Sequence, residues 1–419
     1  MSDPLDVIVL GVGAFTHGVM RALADDGAKV RAFLTRNYGH YGPRLAGECW
    51  DASQASSPLD LPGARQASLF LPMSLEWALK PWTAEVLDSG VPILCPTGEG
   101  LRLERERDCA RALCERFGIP FPRSYFAANG AEALHYTRRH PAGYVLKNPL
   151  CAPNSPLHTI ACETVAETEA WIRRVDDREG IFLQEYLGRR EAGHIALVSA
   201  GELYSLVTNQ EYKRAFDGNQ GIVAGAPLGG LVEADPEDRY GLAAELLRPL
   251  LPWFREVRFH GPVQVTAMRH RDRWHVLEYN VRLGVTSGPM LSRMLKDPAS
   301  VFLAAARNLP LRPVFKPGLR FGCSLTLAGY GYPFTSLEGP EVPVEVRGPF
   351  SCDVWWNEVR ADSAGAPVAT GHRVADVCAL AGELEDAIAL AYENIRRIRV
   401  MGSYFRTDVG RSLWPPGSE

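Results

Sequence analysis

Three polar residues stand at alternate positions in HVLEYNVRLG, residues 275–284: Glu278, Asn280 and Arg282. The stretch has the period-two pattern of a β-strand, with Leu277, Tyr279, Val281 and Leu283 expected on the opposite face. A carboxylate and an amide oxygen spaced this way can share a hard cation such as Mg²⁺, which also takes phosphate oxygens and water. A guanidinium one step further along can hold a phosphate or a developing oxyanion. The same residues also describe a half-buried strand with Glu278 salt-bridged to Arg282, and their types alone leave both readings open. Lys147 ends the apolar run GYVLK, and Lys213 follows TNQEY. Each fits a solvated strand end or a phosphate ligand brought in from another sheet. QEYLGRRE, residues 184–191, puts acids after a strand. That is an ordinary sheet edge, or a segment whose backbone reads an adenine while an acid holds a ribose.

A second group lies at the N-terminus. GVGAFTHG carries Gly11, Gly13 and Gly18, close to a dinucleotide fingerprint. A nicotinamide site also needs an acid ending the next strand, and KVRAFLTRN has none. A tight structural turn, or a phosphate-facing loop for another ligand, fits better. His17, His270 and His275 are not at metal-ligand spacing on a helix. Neither a nucleophile elbow nor a Walker loop is present.

The elements that must position these residues are legible as alternating strands and helices. DVIVLGVGAFTHGVMRALADDGAKVRAFL reads as strand, glycine turn, helix and strand, one unit of a doubly wound domain. ASLFLPMS and VPILCPT read as short buried strands, and LRLERERDCARALCERFGIPFP as one amphipathic helix ended by Gly118 and Pro120. GYVLKNPL and GIFLQEYLG read as strands around a helix in ETVAETEAWIRRV. Hairpins are expected at Ala200–Gly201 and at the basic tip RHRDR, residues 269–273, with one helix over LAAELLRPLLPWFREV between them. A proline-rich stretch, LPLRPVFKPG, marks a boundary, and LEDAIALAYENIRRIRV is a helix near the C-terminus. Of the 419 residues, 46% are hydrophobic and 22% charged, enough for a sizeable core. A net charge of −4 argues against a nucleic-acid partner held through phosphates. No apolar run reaches the length of a membrane span, and the N-terminus has no cationic leader. Nine cysteines without CxxC spacing fit reduced thiols in a cytoplasmic protein.

Taken in order, these segments resemble glycinamide ribonucleotide synthetase (phosphoribosylamine–glycine ligase), an ATP-grasp ligase. LGVGAFTHGV is similar to the family's G-x-G-G-R-E-H-A turn, with His17 on the family histidine. CPTGEGLRLERERDCARALCERFGIP resembles G-P-T-x-x-A-x-x-E-x-S-K and the helix after it, and YVLK ends on the lysine of V-I-K. FLQEYLGRRE resembles I-E-E-F-L-x-G-E-E, and NQEYKRAFDGNQG resembles Q-D-H-K-R-x-x-D-x-D-x-G. LEYNVRLG is similar to the metal strand E-F-N-x-R-F-G, LAGYGYP to A-x-x-G-Y-P, and FRTDVG to the terminal Y-R-x-D-I-G.

The resemblance implies an α/β (α+β) ATP-grasp fold. It divides into an N-terminal Rossmann-like domain (1–118), a lid (119–195), a core with the metal strand (196–314) and a small mixed C-terminal domain (315–419). It implies ATP with Mg²⁺ or Mn²⁺, the metal on Glu278 and Asn280, and catalytic cations in Arg282 and Lys213. Lys147 and Arg107 would hold phosphates, Glu185, Tyr186 and Leu187 would form the adenine hinge, and Glu191 would take the ribose. Gly13, Phe15, His17, Asp217, Gly221, Gly225 and Gly284 would line the substrate site. The implied partners are a small carboxylic acid and an amine, in a monomer or homodimer. The implied reaction activates the acid as an acyl phosphate, which the amine attacks.

Several family residues are replaced. The phosphate-covering G-L-A-x-G-K-G-V reads NPLCAPNSPLHTI here, with neither glycine nor lysine. The S-K lysine is Arg107, G-P-N-T-G-G-M-G is GIVAGAPL (221–228), and D-P-E after the metal strand is Val285, Thr286 and Ser287. The charged pair of G-G-R-E is Phe15 and Thr16. Nucleotide and metal residues stay while polar substrate residues go, which points to an acid and amine other than glycine and phosphoribosylamine. The alternatives are a divergent true glycinamide ribonucleotide synthetase and a non-catalytic nucleotide-binding homologue.

Overall fold

The structure, a computed structural model, describes residues 3–36, 41–151, 155, 157, 159–189, 191–333 and 341–411. Ala152, Pro153, Asn154, Pro156 and His158 of the remade 148–160 loop, and Arg190, lie outside the described residues.

Four parallel strands open the chain, in spatial order Glu48–Asp51, Lys29–Leu34, Asp6–Gly11 and Leu69–Pro72. Apart from Glu48–Asp51 at one edge, their apolar runs are buried, as a sheet covered on both faces requires. The helix Gly13–Asp25 follows the first strand through a turn at Gly13, whose φ of 70° is the left-handed region glycine adopts freely. VPILCPT is not a strand. Only Ile93 bridges to Phe70, because Pro92 and Pro96 remove the donors a ladder needs.

The expected helix over 101–118 is two pieces, Arg102–Arg105 and Arg107–Arg116. Glu106 between them is extended and bridges to Leu150, so pairing with the neighbouring segment overrides a locally helical sequence. The helix expected over 242–257 is also broken. Leu242–Leu246 and Leu251–Glu256 flank a 3-10 turn at Arg248–Leu250, since Pro249 and Pro252 lack the N–H an unbroken helix needs.

A four-stranded antiparallel sheet follows, in order Ser124–Ala127, Ile181–Glu185, Tyr144–Lys147 and Ile160–Ala161. Its helices Gly130–Arg139 and Val165–Ile172 start at Asn129 and Thr164, whose side chains accept from the backbone N–H three residues on.

The largest unit is an eight-stranded antiparallel sheet. Its spatial order is Arg273–Asn280, Gly261–His270, Glu191–Ser199, Glu202–Glu211, Gly229–Ala234, Phe321–Ala328, Arg373–Ala381 and Asp353–Trp356. Three strands from beyond residue 315 thus continue the sheet that carries Glu278 and Asn280. Both expected hairpins form, each on two residues with positive φ: Ala200 and Gly201, then Arg271 and Asp272. Leu384–Ile395 is the expected late helix. Among the described residues no helix is long and apolar enough to cross a membrane.

Candidate active site

The strand Arg273–Asn280 does not alternate without interruption. Opposite it, Thr266 pairs with Glu278 but Ala267 pairs with Val276, so Leu277 is the extra residue of a β-bulge. Trp274 and Val276 before the bulge, and Tyr279 and Val281 after it, enter one apolar core. Leu277, expected on that face, instead lines the cleft with Leu103, Phe121 and Phe182. Its carbonyl accepts from Lys147 Nζ at 3.1 Å and Gln184 Nε2 at 3.2 Å. The strand also ends at Asn280, so Arg282 lies on the turn beyond it.

Glu278 stands among cations. Lys213 Nζ is 3.2 Å from its carboxylate and Arg107 Nη1 is 4.0 Å away. Lys213, then Lys147 and Arg107, hold the Glu278 carboxyl far below the usual carboxylate range against the opposing effect of burial. Lys213 also reaches Glu191 at 2.9 Å and Glu211 at 3.7 Å. Burial works against its charge, but Glu191, Glu278 and Glu211 keep its pKa well above that of a free lysine. Lys147 has fewer carboxylates near it. Burial, with Arg107 and Lys213, lowers its pKa to about 7. Arg107 Nε donates to Asn148 O at 2.8 Å, tying the second helix piece to the strand that ends at Lys147.

The alternative ion pair of Glu278 with Arg282 is not what forms. Arg282 Nε lies 3.6 Å from Glu104, and Arg282 Nη1 donates to Leu283 O. Ionised Glu278 beside Asn280, ringed by lysine and arginine, is an oxygen donor set that suits a hard divalent cation with polyphosphate.

At the hinge, Glu185 N donates to Arg123 O and Tyr186 N to Gly143 O, and the Glu185 carboxylate faces Arg123 at 3.3 Å. Leu187 follows, half-buried. The structure therefore brings Glu278, Asn280, Arg282, Lys213, Lys147, Arg107 and Glu191 into one cluster, with Glu191 on Lys213.

The remaining expected residues make contacts of another kind. His17 is buried in the first helix, and its Nδ1 accepts from Trp356 N at 3.0 Å. Burial, with Arg21 and Arg293, lowers its pKa to about 3. Ala14 N, beside Gly13, donates to Asn357 Oδ1, and half-buried Phe15 packs on the neighbouring core. Asp217 accepts from Thr407 N at 2.8 Å and from the Thr407 hydroxyl. Gly221 has φ 80°, and Gly225 has open space where a Cβ would stand. The 221–228 loop is pinned by Tyr332, whose hydroxyl donates to Ala226 O and accepts from Ala226 N. Gly284 is crowded: a Cβ there would lie 2.2 Å from Ser287 Oγ and 2.5 Å from Gln264 Oε1.

Sequence reasoning overlooked Glu104, Glu211 and Gln184. Glu104 was hidden among the alternating charges of LRLERER, although it falls on the acid of A-x-x-E-x-S-K. Gln184 and Glu211 stand at or next to the ends of their strands, and nothing local marks the side on which they emerge.

This sheet pair with its cationic cleft is the ATP-grasp architecture, and the chain is an ATP-grasp ligase of the carbon–nitrogen bond-forming, ADP-releasing class. Within that class its resemblance to phosphoribosylamine–glycine ligase runs the length of the chain. Residues 322–412 match the family model "Phosphoribosylglycinamide synthetase, C domain". Phosphoribosylamine–glycine ligase of Leifsonia xyli subsp. xyli is 27% identical, over 97% of this chain and 99% of the relative. That of Streptomyces coelicolor is 27% identical, over 97% and 98%. The crystal structure of phosphoribosylamine–glycine ligase from Thermotoga maritima superposes with a TM-score of 0.76 at 23% identity, covering 96% of this chain and 100% of that one. A biotin carboxylase from Campylobacter jejuni shares the fold, at a TM-score of 0.68 and 12% identity, over 96% and 92%.

Proposed function

We propose that this protein joins glycine to phosphoribosylamine, using ATP and releasing ADP, through an acyl phosphate of the acid. The observation that carries the chemistry is Glu278, ionised and flanked by Lys213, Lys147 and Arg107, with Asn280 and Arg282 following it. The choice of pair is supported by curated relatives of that name matching 97% of the chain. A divalent cation on Glu278 and Asn280 would neutralise charge on the terminal phosphates. Lys147 and Arg107 would bind phosphate oxygens, so the carboxylate nucleophile meets a screened anion. Lys213 and Arg282 would take the charge that develops on the transferring phosphoryl group. Glu185 to Leu187 would present backbone groups to the adenine.

A second reading keeps the chemistry and changes the pair. It is favoured by Val285, Thr286 and Ser287 standing where the family has D-P-E, and by the apolar GIVAGAPL loop. One assay separates the two. ADP release is measured with Mg-ATP against a panel of carboxylic acids, with phosphoribosylamine, with other amines, and with hydroxylamine to trap the acyl phosphate. ADP with glycine and phosphoribosylamine is the expected result. ADP and a hydroxamate from a different acid, with none from glycine, selects the second reading. Glu278→Ala should lower ADP release by at least about 10²-fold. Normal turnover in that variant refutes the assignment of the metal strand.

A further inference from the structure

Glu104 sits on the short helix Arg102–Arg105, far in sequence from the metal strand, with only 6% of its side chain exposed. Its contacts fall on three successive residues at the strand's end. The Asn280 side chain faces it and favours its charged form. Val281 N donates to Oε2 at 2.6 Å. Arg282 Nε lies 3.6 Å from Oε1. Val281 is the first residue past the ladder, whose last pair is Gln264 with Asn280. Its N–H has left the sheet and is buried, so Glu104 supplies the acceptor that the missing strand partner would have supplied.

We infer that Glu104 is a positioning residue for phosphoryl transfer: it fixes the Asn280 amide and the Arg282 guanidinium at the end of the metal strand without touching substrate. This rests on the ligase reading above. Val281 N occupies Oε2, and Oε1 faces Arg282. The same turn of chain delivers Arg107 to Glu278, so one short segment of the N-terminal region sets both cationic sides of the strand. Misplacing a reacting group by about 1 Å costs on the order of 10²-fold in rate.

The test uses Glu104→Gln, which keeps the volume and an acceptor for Val281 N but removes the charge opposite Arg282. Glu104→Asp is the second variant, keeping the charge and withdrawing the anchor. In either, kcat for ADP release should fall about 10²-fold, with the KM for ATP changed by less than about threefold. Combined with Arg282→Ala, Glu104→Gln should lose less than the product of the two single losses, because part of its effect runs through that residue. Independently of turnover, the gain in ADP affinity on adding Mg²⁺ should shrink at least tenfold, about 1.4 kcal/mol, while metal-free ADP binding is unchanged. If the wild type releases no ADP with any pair, the ligase reading fails and the binding measurement alone decides. A wild-type magnesium increment in both variants, effects that simply multiply with Arg282→Ala, or equal loss of metal-free binding alongside a lowered melting temperature, would each overturn the inference.

Discussion

Lys213 has three carboxylates for neighbours, Glu191 at 2.9 Å, Glu278 at 3.2 Å and Glu211 at 3.7 Å. Lys213→Met leaves three acids facing one another with less cation to share. Such a broken buried pair costs on the order of 3–5 kcal/mol. The expected outcome is a lowered melting temperature together with loss of ADP release. A variant that loses activity but melts like the wild type would show that the carboxylates are solvated enough to repel without penalty. His17 gives a pH dependence whose sign is fixed. Its folded pKa of about 3 lies below the ordinary value of 6.5, so the unfolded chain binds the extra proton first. Stability should therefore rise with pH between about 3 and 6.5 and be fully present above that window. It is lost as acid protonates His17, because the imidazolium has no lone pair for Trp356 N. Urea unfolding at pH 4.5 and 7.5 should show a larger difference for the wild type than for His17→Asn. Equal differences would remove His17 from the account.

At the scale of elements, the hairpin Arg214–Val223 that follows Lys213 is held by the C-terminal segment. Arg406 is fully buried, donates to Arg214 O and Asn219 Oδ1, pairs with Asp408 and lies 4.8 Å from the Tyr212 ring centre. Arg406→Ala should destabilise by several kcal/mol, and Arg406→Lys should not restore it, since an ammonium cannot make the forked contact. Recovery of the wild-type melting temperature in the lysine variant would count against that geometry. The turn after the strand Arg273–Asn280 makes a similar demand at Gly284, where alanine meets Ser287 Oγ and Gln264 Oε1. Gly284→Ala should cost about 1–3 kcal/mol and slow ADP release, measured side by side. These elements also show where local reading fails. LAAELLRPLLPWFREV has the apolar period of one helix, and Pro249 and Pro252 cut it. The bulge at Leu277 shows in the sequence only as two adjacent apolar residues, Val276 and Leu277, which do not say which of the two leaves the core.

Across the whole molecule the eight-stranded sheet ties the chain's late segment to the strand that carries Glu278. Ending the chain after residue 320 would remove Phe321–Ala328, Asp353–Trp356 and Arg373–Ala381, leaving Gly229–Ala234 as a buried-type edge. The expected product is aggregated on size exclusion, and a soluble, cooperatively melting fragment would contradict the sheet's role as one unit. The intact protein should bind Mg-ATP and gain about 2.7 kcal/mol at 100 times the Kd. Chelating the divalent cation should abolish ADP release and reverse most of that gain.

The sequence by itself determined most element types, the opening strand–turn–helix–strand unit, and the order of the motifs that carry the resemblance. Apolar periodicity, glycine turns and the E-Y-N-x-R spacing are local properties, and they survive in any correct fold. Only the tertiary structure decided which charges meet. Glu278 pairs with Lys213 rather than Arg282, Arg282 turns to Glu104, and Glu191 joins the lysine. It also placed His17 against Trp356 and Asp217 against Thr407, across more than 180 residues in each case. The physical reason is that an ion pair depends on distance through space, and that distance is set by sheet register, a single bulge and two interrupted helices.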